Sequence, residues 1–174
     1  MYASQFPKSF NYQIENNVFS REIFRLMFEQ LLTIDDVTLT FGPGIANRWE
    51  VSEDKKQFTF HIDPRAHWSD GVQITAEVVA WSFNAVKNPE HLTGPLQASM
   101  KRLIEIEALD EKSVRITADE VHWKNQLACS MFYIMPKHWW ESQDFNKVNF
   151  EFPIVSGPYS LGEVKEQHFA RLEK

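Results

Sequence analysis

Between Arg48 and Asn88 the chain changes its hydrophobic period from two to 3.6, and each change is punctuated. In "QFTFHI" the residues Phe58, Phe60 and Ile62 share one face while Gln57, Thr59 and His61 share the other, which is the alternation of a half-buried strand. A polar turn at Glu53 to Lys56 joins it to an apolar segment starting near Asn47, so the pair reads as a hairpin. Asp63-Pro64 stops the strand, because proline cannot donate to the ladder. Trp68-Ser69-Asp70-Gly71 then has the chemistry of a tight turn, and Thr75 is placed to cap the helix "AEVVAWSFNAVKN". That helix carries Val78, Val79, Trp81, Phe83 and Val86 on a broad apolar face. The indole, hydroxyl and carboxylate of "WSDG" also invite a catalytic reading, but the architectural one is stronger: Trp68 pins the hairpin end to the core, Asp70 and Gly71 make the turn, and Thr75 caps the helix.

The rest of the chain repeats this logic. In "VFSREIFRLMFEQLL" the residues Ile23, Phe24, Met27, Phe28, Leu31 and Leu32 recur at helical spacing, predicting an amphipathic helix through Leu32 with Ser20 as its cap. A turn at Asp35 and Asp36, a short strand and a Gly-Pro-Gly break follow. "NPEHLTGP" reads as a loop, and "LIEIEALDEKSVRITADE" as a second hairpin turning at Asp110 to Lys112. A short helix lies ahead of the apolar segment ended by Pro136, a further helical turn is expected at His138 to Glu141, and "PIVSGPYSLGEVKEQHFARLEK" has the pattern of a third hairpin.

Several function classes lose support on composition and spacing. The formal charge is −6, from 18 basic and 24 acidic residues, and the basic ones are scattered, so no nucleic-acid groove is indicated. No run is long and apolar enough to span a bilayer. The six histidines never take H-x-x-x-H spacing, the single Cys129 lies in an apolar stretch, and no metal or other cofactor is indicated. Ser156 in "VSGPY" lacks the nucleophile elbow, and no phosphate-cradling glycine motif occurs, so no catalytic residue is assigned. Trp139 and Trp140 admit two readings: a stacking platform in a carbohydrate-binding module, or anchors that dock a short helix. Two exposed indoles on one flat face would mark the first.

The ordered stretch "GIANRWEVSEDKKQFTFHIDPRAHWSDGVQITAEVVAWSFNAVKNP" resembles the family 5 extracellular solute-binding proteins, receptors of ATP-driven importers for peptides and nickel. The resemblance continues through "LDEKSVRITADE" to "PIVSGPY", and "MPKHWWESQDF" is similar to the YejA-like branch. One departure lies at Thr75-Ala76-Glu77-Val78, where valine replaces the acidic residue of the capping box. The resemblance implies an α+β fold, mostly antiparallel hairpins with packed helices. Such a chain would be the amino-terminal part of a longer protein of the type II periplasmic-binding-protein-like fold. Roughly residues 37–150 would form an accessory subdomain, with 1–36 and 151–174 on the edge of lobe 1. It further implies a non-enzymatic receptor that binds peptides between lobes and delivers them to a membrane permease. The receptor would work at the periplasmic or extracellular face, held by a lipid anchor where a leader provides one. The cleft-facing positions it points to are Asn16, Asn17, Val18, Phe19 and Leu96, while Tyr159 fits a structural anchor.

Overall fold

The computed structural model describes Ser9 and residues 11–14, 17–147, 154–165 and 168–174. Its centre is a four-stranded antiparallel sheet built from two hairpins, β3 (Ala46–Val51) with β4 (Gln57–Ile62) and β5 (Leu103–Ala108) with β6 (Ser113–Ala118), in the order β3-β4-β6-β5. Pairing Phe58 with Ile116 and Phe60 with Val114 puts the apolar residues of the two central strands on one face. Helix α2 (Ala76–Lys87) covers that face with Val79, Phe83 and Val86, all buried. Each large side chain removed from water there contributes about 1.5–3 kcal/mol. The opposite face stays polar, with Arg115 paired to Glu107 at 2.9 Å.

The expected turn before α2 forms as read. Gly71 adopts φ +85°, the Trp68 amide donates to the Val72 carbonyl, and Thr75 Oγ1 accepts the Val78 amide at the helix start. With Val78 at the third helical position no side chain returns to the Thr75 amide to complete a capping box, and Glu77 pairs with Lys137 of α5 (Lys137–Trp140).

Two expectations for the first helix need correction. Helix α1 spans Val18–Met27, and its cap is Asn17, whose side-chain oxygen accepts the Ser20 amide at 2.8 Å. Ser20 sits inside the first turn with its side chain buried. The helix also stops five residues short of Leu32. Phe28, Leu31 and Leu32 are buried as the spacing demands, but Phe28 is extended, and the Gln30 and Leu31 carbonyls accept the Ile45 and Ala46 amides at 2.9 Å. Strand β1 (Leu32–Ile34) then pairs with β2 (Phe41–Pro43). Backbone pairing with a distant segment overrides the local helical period here.

Part of the loop expected at "NPEHLTGP" is likewise helical. Helix α3 (Gly94–Ser99) starts at its Gly-Pro, where a proline in the first turn needs no amide partner, and buried Thr93 fixes the entry by donating to the Val86 carbonyl. Helix α4 (Asn125–Ser130) and the hairpin of β7 (Ser160–Lys165) and β8 (Phe169–Glu173) complete the order.

A second hydrophobic cluster lies beyond α2. Tyr12, Phe24, Met27, Phe28, Met135, Trp140, Phe145 and Val155 form its buried part, and Leu161, Val164, Ala170 and Leu172 of the last hairpin pack on it. Helix α2 serves both clusters, since its Ala85 belongs to this one. The buried Ser82 hydroxyl is fully used, donating to the Val78 carbonyl and accepting the Met135 amide. The arrangement is α+β, antiparallel throughout its sheets.

Candidate functional site

A cleft of about 600 Å³ runs along the outer face of α1. Arg21 and Arg25, one helical turn apart, line it from the helix. Glu29 and Gln30 follow from the extended segment, Leu32, Thr33 and Ile34 from β1, and Met131 and Tyr133 from the far wall. An antiparallel bridge between Gln30 and Tyr133 closes its floor, and the Gln30 side chain donates to the Met131 carbonyl at 2.5 Å. Gly44 belongs to this wall because the backbones cross so tightly that a Cβ would stand 2.5 Å from the Gln30 carbonyl oxygen.

The cleft carries both signs of charge. Arg21 and Arg25 stand against Glu22, Glu29 and Asp36, with Arg25 and Glu22 paired at 4.0 Å. Glu29 reaches solvent, yet desolvation raises its carboxyl pKa, opposed by His67. Burial also raises the Tyr133 phenol, with the Arg25 charge acting the other way. The Tyr133 ring is held edge-on to Tyr12 at 5.6 Å. A surface of this kind can hydrogen-bond and charge-pair a ligand.

A second cavity of about 340 Å³ lies between α3 and α4, lined by Leu96, Met100, Leu127, Ala128 and Phe132 among others, with Met131 on its wall as well as on the cleft's. Its two cations are engaged, Arg102 with Glu120 and Lys124 over the Trp123 ring at 5.1 Å.

The expected ligand positions divide between these features and the helix start. Leu96 lines the second cavity. Asn17 caps α1 and Val18 is exposed, neither of them lining either cavity, and the backbone of Phe19 lies in the first turn. Asn16 lies outside the described residues. Arg21, Arg25, Gln30, Met131 and Tyr133 were not singled out in the sequence. The i, i+4 spacing of the arginines was the one local signal, and the cleft itself depends on four separate segments.

The stacking-platform reading of Trp139 and Trp140 is overturned. Trp140 is only 2% exposed, and the two rings meet at 89° with centroids 4.9 Å apart, so they form no flat face. They dock α5, with Trp140 inside the second cluster. Among the described residues no group of three or more His, Cys, Asp or Glu side chains is placed to hold a metal ion.

Against known proteins, residues 40–174 match the family described as bacterial extracellular solute-binding proteins, family 5 Middle. The structure is similar to a periplasmic oligopeptide-binding protein of an ABC transporter from Borrelia burgdorferi, with TM-score 0.82 and 28% identity, covering 98% of this chain and 37% of that one. It is also similar to NikZ from Campylobacter jejuni, solved in complex with Ni(L-His), with TM-score 0.73 and 27% identity over 81% of this chain and 28% of that one. Among curated sequences, the probable peptide-binding protein YejA of Agrobacterium fabrum is 26% identical over 148 residues, 80% of this chain and 24% of that protein. A putative binding protein of Brucella melitensis is 28% identical over 137 residues, 78% of this chain and 22% of its own length. The chain therefore spans between 22% and 24% of the length of these two curated relatives.

Proposed function

The chain belongs to the bacterial extracellular solute-binding proteins of family 5, and from that premise we propose that it forms part of a receptor that captures peptides for an ATP-driven importer. The match over residues 40–174 is the observation that carries this reading. The mixed-sign cleft agrees with it, because a peptide brings an ammonium, a carboxylate and a chain of amides to a wall that offers arginines, carboxylates and polar backbone. β1 adds to this, since its three residues line the cleft and β2 is its one partner strand among the described residues.

In this reading the ligand is enclosed between lobes, and its backbone is held by hydrogen bonds while water fills the remaining contacts. Closure about a hinge would shift the population toward the bound form, and no covalent step is involved. Asn16, Asn17, Val18, Phe19 and Leu96 are the proposed contacts from this chain. Residues 37–150 would be the accessory subdomain, with 1–36 and 151–174 on the edge of lobe 1. Support for that division comes from the hydrophobic cluster beneath the four-stranded sheet, whose buried members lie within 37–150 apart from Leu31 and Leu32. The permease would be the partner, at the periplasmic or extracellular face of a membrane, with a lipid anchor as one means of attachment. Among the described residues no helix is long and apolar enough to cross the bilayer.

Native mass spectrometry of the natural-length protein, purified gently from its own cells, tests the proposal. Peptides released on unfolding support it. A mass without ligand under every growth condition, together with no binding to a defined peptide mixture, rejects it.

A further inference from the structure

We propose that the turn joining β1 to β2 is a docking knob, whose Val37 and Leu39 seat in an apolar, cation-bordered recess on the membrane subunit of the importer. The inference rests on the receptor reading above and names the surface through which that receptor meets its partner.

The turn is firmly held. Asp35 Oδ1 accepts from the Val37 amide at 3.0 Å, the Thr38 amide at 2.6 Å and the Thr38 hydroxyl at 2.9 Å. The Asp35 carbonyl accepts the Leu39 amide at 2.8 Å, and the Asp35 amide donates to the Thr40 carbonyl at 3.0 Å. Yet the side chains fixed in this way face water, Val37 at 90% exposure and Leu39 at 75%. Leu39 is also held at φ +57°, a left-handed conformation that is costly for a residue with a Cβ and that glycine or asparagine adopts more readily. Turn geometry does not ask for a leucine there. In the β3–β4 turn Lys55 has the same φ of +57° and presents a charged side chain to solvent. Solvation and backbone strain both favour polar residues at these positions, so the ordered apolar pair points to a surface that covers it.

Position identifies that surface. Thr33, Ile34 and Asp36 line the cleft, so a body seated on the turn stands at the cleft's rim, where a captured peptide has to leave. The body that receives the peptide is the importer. Charge narrows the chemistry, because Asp35 and Asp36 set carboxylates beside the knob. They disfavour an anionic lipid surface and suit a recess edged by lysine or arginine.

The test compares the natural-length protein with a double variant, Val37→Thr with Leu39→Asn, and with Lys55→Asn as the control at the equivalent position of the other turn. Each is measured for affinity toward the organism's own peptide importers in nanodiscs, for calorimetric binding of a defined peptide mixture, and for its urea midpoint. The double variant should bind the importer about tenfold more weakly, while peptide binding is unchanged and the midpoint is kept or raised, since asparagine tolerates the left-handed turn. Lys55→Asn should change none of the three. Unchanged importer affinity, or peptide binding with no importer engaged, overturns the knob and leaves peptide capture standing. Binding to nanodiscs without importer that the double variant loses would assign the turn to the bilayer. A dimer that the double variant breaks would assign it to a second copy, and a lowered midpoint to the receptor's own chain. Each of these three also overturns the proposal. Failure to bind any peptide or importer rejects the receptor reading and the knob together.

Discussion

His138 Nε2 lies 2.8 Å from Asp70 Oδ2, so the helical turn at 137–140 is fastened to the turn that launches α2, 68 residues earlier in the chain. The other Asp70 oxygen accepts the Val72 amide at 3.1 Å. Burial acts to raise the Asp70 pKa, but the Val72 amide and the His138 contact together outweigh it and hold the carboxyl below the usual aspartate range.

A depressed folded-state pKa means that the carboxylate stabilises the fold fully above its ordinary value of about 3.9, and that this contribution is lost as pH falls through the lower folded value. Asp70→Asn should therefore cost about 0.5–1 kcal/mol near neutral pH, at the modest end because both partners are partly exposed. The gap between the urea midpoints of the two proteins should hold steady down to about pH 4.5 and close only as the pH falls further, through the lowered folded-state value. A gap that does not narrow would assign the cost to something other than the charge.

Three glycines should respond to alanine in three different ways. At Gly71 nothing obstructs a Cβ, but φ is +85°, so the cost is backbone strain of about 1–2 kcal/mol. At Gly157 a Cβ would meet the Leu26 carbonyl oxygen at 2.7 Å and displace the bond from the Gly157 amide to the Met27 carbonyl, for a loss of about 2–3 kcal/mol. Gly94 has open space at the start of α3, where alanine should be neutral or stabilising by about 0.5 kcal/mol. Equilibrium unfolding of the three variants gives the ranking directly.

Trp68 is wholly buried, and its indole N–H has no hydrogen-bond partner among the described residues. Trp68→Phe removes that unsatisfied donor together with some volume, so it should cost about 1–2 kcal/mol, well under the 3–5 kcal/mol of Trp68→Ala. Equal losses in a denaturant series would contradict the idea that the donor is a burden.

Cys129 is buried, and desolvation raises its thiol pKa. Thiol reagents at mildly alkaline pH should leave it unmodified in the folded protein and label it completely in denaturant. Rapid labelling of the folded chain would show that α4 opens readily.

The elements that could be read from the sequence were those in which a local pattern and its tertiary setting agree. Phe58, Phe60 and Ile62 alternate, and all three are buried, because the sheet has one covered face and one wet one. Thr75 caps where it stands because the turn before it is made of residues suited to nothing else. Phe28, Leu31 and Leu32 misled on helix length because burial is common to helix and strand, and what ended α1 was pairing to Ile45 and Ala46. The site was less legible. Leu96 lines a cavity where Asn17 and Val18 do not, and it came from the family resemblance, whereas the cleft is made where α1, β1, Met131 and Tyr133 converge. No single window of sequence contains that meeting.

The stretch from the last turn of α1 through the extended segment after it has a further effect, on the order of events in folding. Its carbonyls are claimed from three places: Leu26 by Tyr159, Met27 by Gly157, Glu29 by Ile134, and Gln30 and Leu31 by Ile45 and Ala46. As the chain leaves the ribosome, the hairpin around residue 45 can dock first, but the segment waits for more than a hundred further residues before its last partners arrive. Loops of that span close slowly. The central sheet with α2 can assemble early from near neighbours, whereas α1 and the terminal hairpin join late, which makes the seam between them the last part of the chain to be sealed and the first point at which a stalled or nicked chain would stand open.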